Sequence, residues 1–154
     1  MYKKFFAGLV CFLAVALLAQ NAPNFSGSWK FNPGKSSNIG MMAQVEMTSR
    51  IQQSSSSLDI TSHSRFQGEE RDIKIHYDLT GKPAMNESPM GGPAETASKW
   101  AGGKLVTTWT SAGAVAGSKV VRTETRWLSP DGKVMTMEST RGNGPSMVQV
   151  FDKE

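Results

Sequence analysis

From residue 25 onward, apolar and polar residues alternate with a period of two, in short runs separated by Pro, Gly and Ser clusters. Successive side chains of a strand point to opposite faces, so this pattern builds strands with one buried and one wet face. Helical spacing at i, i+3, i+4 and i+7 is sustained nowhere in that region. Pro23, Pro33, Pro83, Pro89, Pro93, Pro130 and Pro145 all fall between the runs. Proline cannot donate to a ladder, so its placement marks where strands stop. The reading is an all-β protein.

Register sharpens it. If Leu58 faces Tyr77, then Ile60 faces Ile75 on the same side, while Asp59 faces His76, Thr61 faces Lys74 and His63 faces Asp72 on the other. One register sorts apolar from polar on both strands, as a sheet with one buried face requires. The connecting turn is Phe66-Gln67-Gly68-Glu69. Upstream, Phe25 to Phe31 reads as the first strand, with Phe25, Gly27, Trp29 and Phe31 on one face, followed by runs from Gln44 to Gln53 and from Ser57 to Ser64. Ala101-Gly102-Gly103-Lys104 signals a two-residue hairpin turn that pairs Trp100 with Leu105 and Thr96 with Trp109. Ser129-Pro130-Asp131-Gly132 reads as a type I turn with a glycine bulge between Lys119–Leu128 and Lys133–Thr140. The expected register places Val121, Thr123, Thr125 and Trp127 on the face of Met135 and Met137, and turns Arg122, Glu124 and Arg126 outward. Lys82 to Pro93 reads as a long loop at a rim, and Ser146 to Asp152 as the last strand. Nearest-neighbour hairpins predict an antiparallel up-and-down meander of about 8–9 strands, which sheds its exposed edges by closing into a barrel.

The first nineteen residues are of another kind. Tyr2-Lys3-Lys4 is basic, Phe5 to Leu18 is apolar, and Ala19 follows. This is the pattern of a secretory signal peptide, helical in its apolar part. The run is shorter than the about 20 apolar residues that span a bilayer. Cleavage is expected after Ala19, with Ala22 the alternative and an uncleaved anchor the other reading. Cys11 lies inside the run behind Gly8-Leu9-Val10, which is not a lipoprotein pattern. Cleavage removes Lys3 and Lys4, so 17 basic and 13 acidic residues become 15 and 13, and the formal charge falls from +4 to +2. A nearly balanced surface is not the footprint of a nucleic-acid binder. Residues 20–154 are then a single secreted domain, periplasmic or extracellular, without a membrane anchor. It is held without a disulfide, because the one cysteine leaves with the signal.

Asn24-Phe25-Ser26-Gly27-Ser28-Trp29-Lys30 resembles the opening strand of the lipocalin and fatty-acid-binding-protein superfamily, where a Gly-x-Trp plugs one barrel end. Lys99-Trp100-Ala101-Gly102-Gly103-Lys104-Leu105 and the ending Val150-Phe151-Asp152-Lys153-Glu154 are similar to stretches of the small lipid-binding proteins. The resemblance implies a calycin barrel, here a lipocalin-like secreted bacterial member, with an apolar ligand inside. Two departures stand out. Asn32 to Ala43 is too short for the family's helix-turn-helix lid. The Arg-x-Tyr pair that holds a ligand carboxylate on the family's last strand is replaced by Gln149 and Phe151, so the bidentate partner is missing there.

His63 and His76 fall on the polar face about 13 Å apart, too far to share a metal ion. They read as cross-strand partners of Asp72 and Asp59. No nucleophile–base pair and no Gly-x-Ser-x-Gly elbow is present, so no catalytic residue, metal or cofactor is expected. If the row Arg122-x-Glu124-x-Arg126 turned inward instead, it would make a charged cavity. The expected function is non-enzymatic binding of a small apolar molecule. Trp29, Trp100, Trp109, Trp127 and Met137 would form the wall, and Thr125 or Gln149 a polar handle. Met135 and Met147 would help line an adaptable pocket. The alternative is a filled barrel that serves as a structural or protein-interaction module of the cell envelope, through its outer face or the 82–93 loop.

Overall fold

The computed structural model describes residues 22–154. The expected leader, residues 1–19, lies outside them. Ten strands follow one another: β1 Gly27–Phe31, β2 Glu46–Gln53, β3 Ser57–Phe66, β4 Glu69–Asp78, β5 Ala84–Glu87, β6 Pro93–Ala101, β7 Lys104–Ala112, β8 Lys119–Leu128, β9 Val134–Arg141 and β10 Met147–Lys153. They form one antiparallel sheet in the order β4-β3-β2-β1-β10-β9-β8-β7-β6-β5. This is a meander whose two chain ends meet at β1 and β10, rolled into a nearly closed barrel. Two short 3-10 segments, Pro33–Lys35 and Gly40–Gln44, occupy the short stretch between β1 and β2.

The β3–β4 register is the one alternation requires: Leu58 faces Tyr77, Ile60 faces Ile75, and His63 faces Asp72. Gln67 and Gly68 both take positive φ, 51° and 86°, as a two-residue hairpin turn demands. Trp100 faces Leu105 and Thr96 faces Trp109, also as expected. His63 Nδ1 lies 2.7 Å from Asp72 and His76 Nδ1 2.7 Å from Asp59, on the outer wall.

Two expectations are corrected. The Lys82–Pro93 stretch is not all loop, because it contains β5, which pairs with β6 alone. On its other side β5 makes no ladder with β4. The side chain of Asn86 spans that gap: its Oδ1 accepts from His76 N at 2.8 Å and its Nδ2 donates to His76 O at 2.8 Å. A side-chain amide thus stands in for a peptide group between the two strands. Second, the β8–β9 hairpin closes through Ser129 N to Val134 O at 2.8 Å. It therefore pairs Leu128 with Met135, Arg126 with Met137 and Glu124 with Ser139. This register is one residue off the expected one, and a one-residue slip exchanges the faces of a strand. Arg122, Glu124 and Arg126 point into the barrel, and Thr123, Thr125 and Trp127 point out.

One end of the barrel is closed by an aromatic plug. Phe25 and Trp29 are fully buried. Phe25 stacks on Trp100 with ring centroids 6.0 Å apart and planes 4° from parallel. Trp29 Nε1 donates to Phe25 O at 2.8 Å, and Lys153 Nζ sits 5.3 Å above its ring. Gly27 has φ +137°, and a Cβ there would fall 2.9 Å from Lys153 Cε, so glycine leaves room for this crossing. Gln53 ties the entering chain to β2, accepting from Phe25 N at 2.9 Å and donating to Pro23 O at 2.9 Å.

Candidate ligand-binding site

Beyond the aromatic plug the barrel is not filled. A cavity of about 880 Å³ occupies the other half and opens where Gly40–Gln44, the β3–β4 turn and the β5–β6 turn meet. Seven of the nine methionines line it: Met41, Met42, Met47, Met90, Met135, Met137 and Met147. Ile51, Ile60, Ile73, Ile75 and Phe151 supply much of the remaining apolar wall. Met41 and Met90 stand exposed at the mouth. Thioether chains have three rotatable bonds and a polarizable sulfur, so the wall adapts to irregular apolar shapes. Ser49 and Ser62 face each other across β2 and β3, with hydroxyl oxygens 2.7 Å apart.

A charged cluster lies deep in this chamber. Alternation along β8 sends Arg122, Glu124 and Arg126 inward together, and β4 and β7 bring Tyr77 and Trp109 against them. The Tyr77 hydroxyl donates to Glu124 Oε2 at 2.9 Å, and Trp109 Nε1 donates to the same oxygen at 3.0 Å. Arg122 Nη2 lies 3.5 Å from Glu124 Oε1. The Tyr77 and Trp109 rings meet edge to face, 5.9 Å apart at 84°. The guanidinium of Arg122 lies over Trp109 at 4.8 Å and that of Arg126 over Tyr77 at 5.7 Å. Burial, reinforced by the Glu124 carboxylate, pushes the Tyr77 phenol far above its ordinary range, so it stays a donor.

The cluster is incompletely paired. Two guanidinium groups face one carboxylate, a formal +1. Arg126 Nη2 has the Met137 sulfur at 3.1 Å, a weak acceptor. Arg122 Nη2 and Arg126 Nε are buried without a hydrogen-bond partner. Buried donors are nearly always satisfied, and a buried charge without full compensation costs several kcal/mol, on the order expected for partial desolvation. Cation–π contact with the two rings returns about 0.5–2 kcal/mol each. What remains is a concave apolar site with convergent unpaired donors, the arrangement that accepts an anion.

The residues expected to form the site separate into three groups. Met137 and Gln149 line the cavity, side by side across β9 and β10. Trp29, Trp100 and Trp109 point into the barrel but do not line the cavity, the first two in the plug and the third beneath Arg122. Thr125 and Trp127 are corrected: they face outward, and Lys104 Nζ lies 4.3 Å above the Trp127 ring on the outer wall. The residues missed are Arg122, Arg126, Glu124 and Tyr77. The signal that could have found them was the turn count: four residues between the closing pair of Ser129 and Val134 put even positions of β8 with odd positions of β9.

Fold and chamber together define a nearly closed antiparallel β-barrel of ten strands with an internal cavity. No family model matches the sequence, and no curated protein matches it by sequence. Solved structures do match by fold. Apo Caenorhabditis elegans lipid binding protein 8 superposes with TM-score 0.65 at 15% identity, over 84% of this chain and 95% of that one. The fatty acid transporter REP1-NXSQ superposes at 0.64 with 15% identity, over 84% and 95%. Echinococcus granulosus fatty-acid-binding protein 1 does so at 0.64 with 14% identity, over 84% and 96%.

Proposed function

We propose that this protein is a non-enzymatic carrier of a single-tailed amphiphile. The tail lies among the methionines, and an anionic head group rests on Arg122 and Arg126. The observation that carries the reading is the pair of buried guanidinium nitrogens without hydrogen-bond partners in a mostly apolar cavity. A head group with acceptor oxygens satisfies both, and charge-assisted bonds of this kind are about twice as strong as neutral ones. A cavity of about 880 Å³ also falls within the size range of ordinary ligand sites. The structural neighbours' names, lipid-binding and fatty-acid-binding, point the same way. The guanidinium absent from the last strand is supplied by β8. The same reading takes residues 1–19 as an export signal, supported by the basic start and apolar run, and N-terminal sequencing of protein recovered outside the cytoplasm tests it.

Calorimetric titration with hexadecanoate and with hexadecanol tests the ligand class. Hexadecanoate is expected to bind one to one, and Arg126→Met to weaken it tenfold or more, equivalent to about 1.4 kcal/mol. Hexadecanol affinity should change little in the variant. No saturable binding of the acid, or equal loss for acid and alcohol, would overturn the reading.

A further inference from the structure

Glu124 has no obvious place in a site that attracts an anion. A carboxylate among the guanidinium groups repels the very charge they attract. It is nonetheless firmly seated: Tyr77 and Trp109 both donate to one of its oxygens, at 2.9 and 3.0 Å, and Arg122 approaches the other. These contacts come from three separate strands, so the carboxylate cannot swing away when a ligand enters. Its effect is to cancel one of two positive charges. We propose that Glu124 sets the valence of the head group: the chamber takes a singly charged anion and rejects a doubly charged one. This rests on the reading that an anion occupies the Arg122–Arg126 floor, and it narrows the ligand to monoanions such as carboxylates or sulfonates, against phosphate monoesters in their dianionic form.

The physical reason is local neutrality. With a monoanion bound, the buried cluster has a formal charge of zero. With a dianion it has −1, and burying uncompensated charge is strongly unfavourable. The other charged groups nearby do not alter this balance. Arg141 stands across from Arg122 but is exposed at the strand end. Glu69, Glu70 and Arg71 are exposed on the rim, where solvent screens them. Tyr77 stays protonated.

Decyl phosphate and decane-1-sulfonate test this on the wild-type protein, because phosphate monoesters pass from one charge to two near pH 6 while the sulfonate keeps one. Dissociation constants by calorimetry at pH 5 and pH 8 are expected to show decyl phosphate weakening at least tenfold relative to the sulfonate. In Glu124→Gln that relative loss should shrink to threefold or less, chiefly because the phosphate at pH 8 binds more tightly. Desolvation of the dianion by itself would leave the loss unchanged in the variant. If Glu124→Gln does not fold, Gln149→Lys adds one positive charge from the cavity wall while leaving Glu124 and its donors in place, and should give the same collapse. Equal relative affinities in the wild type, or a full tenfold loss retained in the folded variants, overturns the valence filter alone. Failure of both amphiphiles to bind at either pH overturns the anion-binding reading beneath it as well.

Discussion

The two ends of this barrel are built from the same alternating strands and differ in how their buried polar atoms are treated. At the plugged end every such atom described above has a partner: the Trp29 indole donates to Phe25 O, and Gln53 serves both Phe25 N and Pro23 O. In the chamber, Arg122 and Arg126 each keep a buried nitrogen without a hydrogen bond, although that of Arg122 lies 3.5 Å from Glu124 Oε1. One end is packed to a closed aromatic core. The other is left with a volume of about 880 Å³ and unspent hydrogen-bonding capacity. The difference separates a half that is packed and self-satisfied from a half that is hollow and charged. The half that satisfies itself contributes most to stability, and the proposed binding function falls to the half that does not.

Substitutions should break that division in opposite directions. Trp29→Ala empties the plug and is expected to destabilise by about 3–5 kcal/mol, the range for a fully buried large aromatic. Urea denaturation measures it. Arg126→Met, in the chamber, should instead leave stability unchanged or raise it by about 1–3 kcal/mol, because a poorly compensated buried charge is replaced by an apolar side chain of similar length. The same denaturation curves decide this, and a loss comparable to that of Trp29→Ala would show that the cluster is structural. Asn86→Ala removes the amide that spans the β4–β5 gap. About 1 kcal/mol is expected from its partly exposed bonds, with faster hydrogen exchange at the His76 N–H, whose acceptor is Asn86 Oδ1.

The smallest effect lies outside both halves. Asp152 is held below the usual carboxylate range by the Asn32 side-chain amide and then by Lys35, at 2.6 and 2.7 Å. A depressed carboxyl pKa stabilises the fold above the unfolded value of about 4 and loses that contribution as pH falls through the folded value. The pair is more than a third exposed, so screening keeps the contribution well under about 1 kcal/mol. Asp152→Asn should therefore lower the urea midpoint slightly at pH 6, and the difference from wild type should vanish near pH 2.

How much of this was legible depends on the range of the contact. Leu58 to Tyr77 and Trp100 to Leu105 are set by short hairpins whose apolar and polar residues sort in only one register. The Gly27-x-Trp29 plug and the His63–Asp72 and His76–Asp59 pairs were equally readable. The β8 face was not. Val121, Thr123, Thr125 and Trp127 look like an inward row, and Arg122, Glu124 and Arg126 look like an outward one, since charge ordinarily seeks water. The partners that override this preference, Tyr77 and Trp109, arrive from β4 and β7. Asn86 likewise gains its role only once β4 lies beside β5.

Alternation and turn chemistry by themselves determined an all-β meander able to close and the outer position of both histidines, because those features follow from nearest-neighbour pairing and local backbone preference; the plug at one end was implied by the resemblance of the first strand. Only the observed β8–β9 register within the rolled sheet decided which face of β8 is inside, and therefore that the chamber carries charge. Burying two arginines and a glutamate is favourable for no isolated strand. It becomes tolerable where distant strands supply an indole and a phenol that donate to the carboxylate and aromatic faces for the two guanidinium groups.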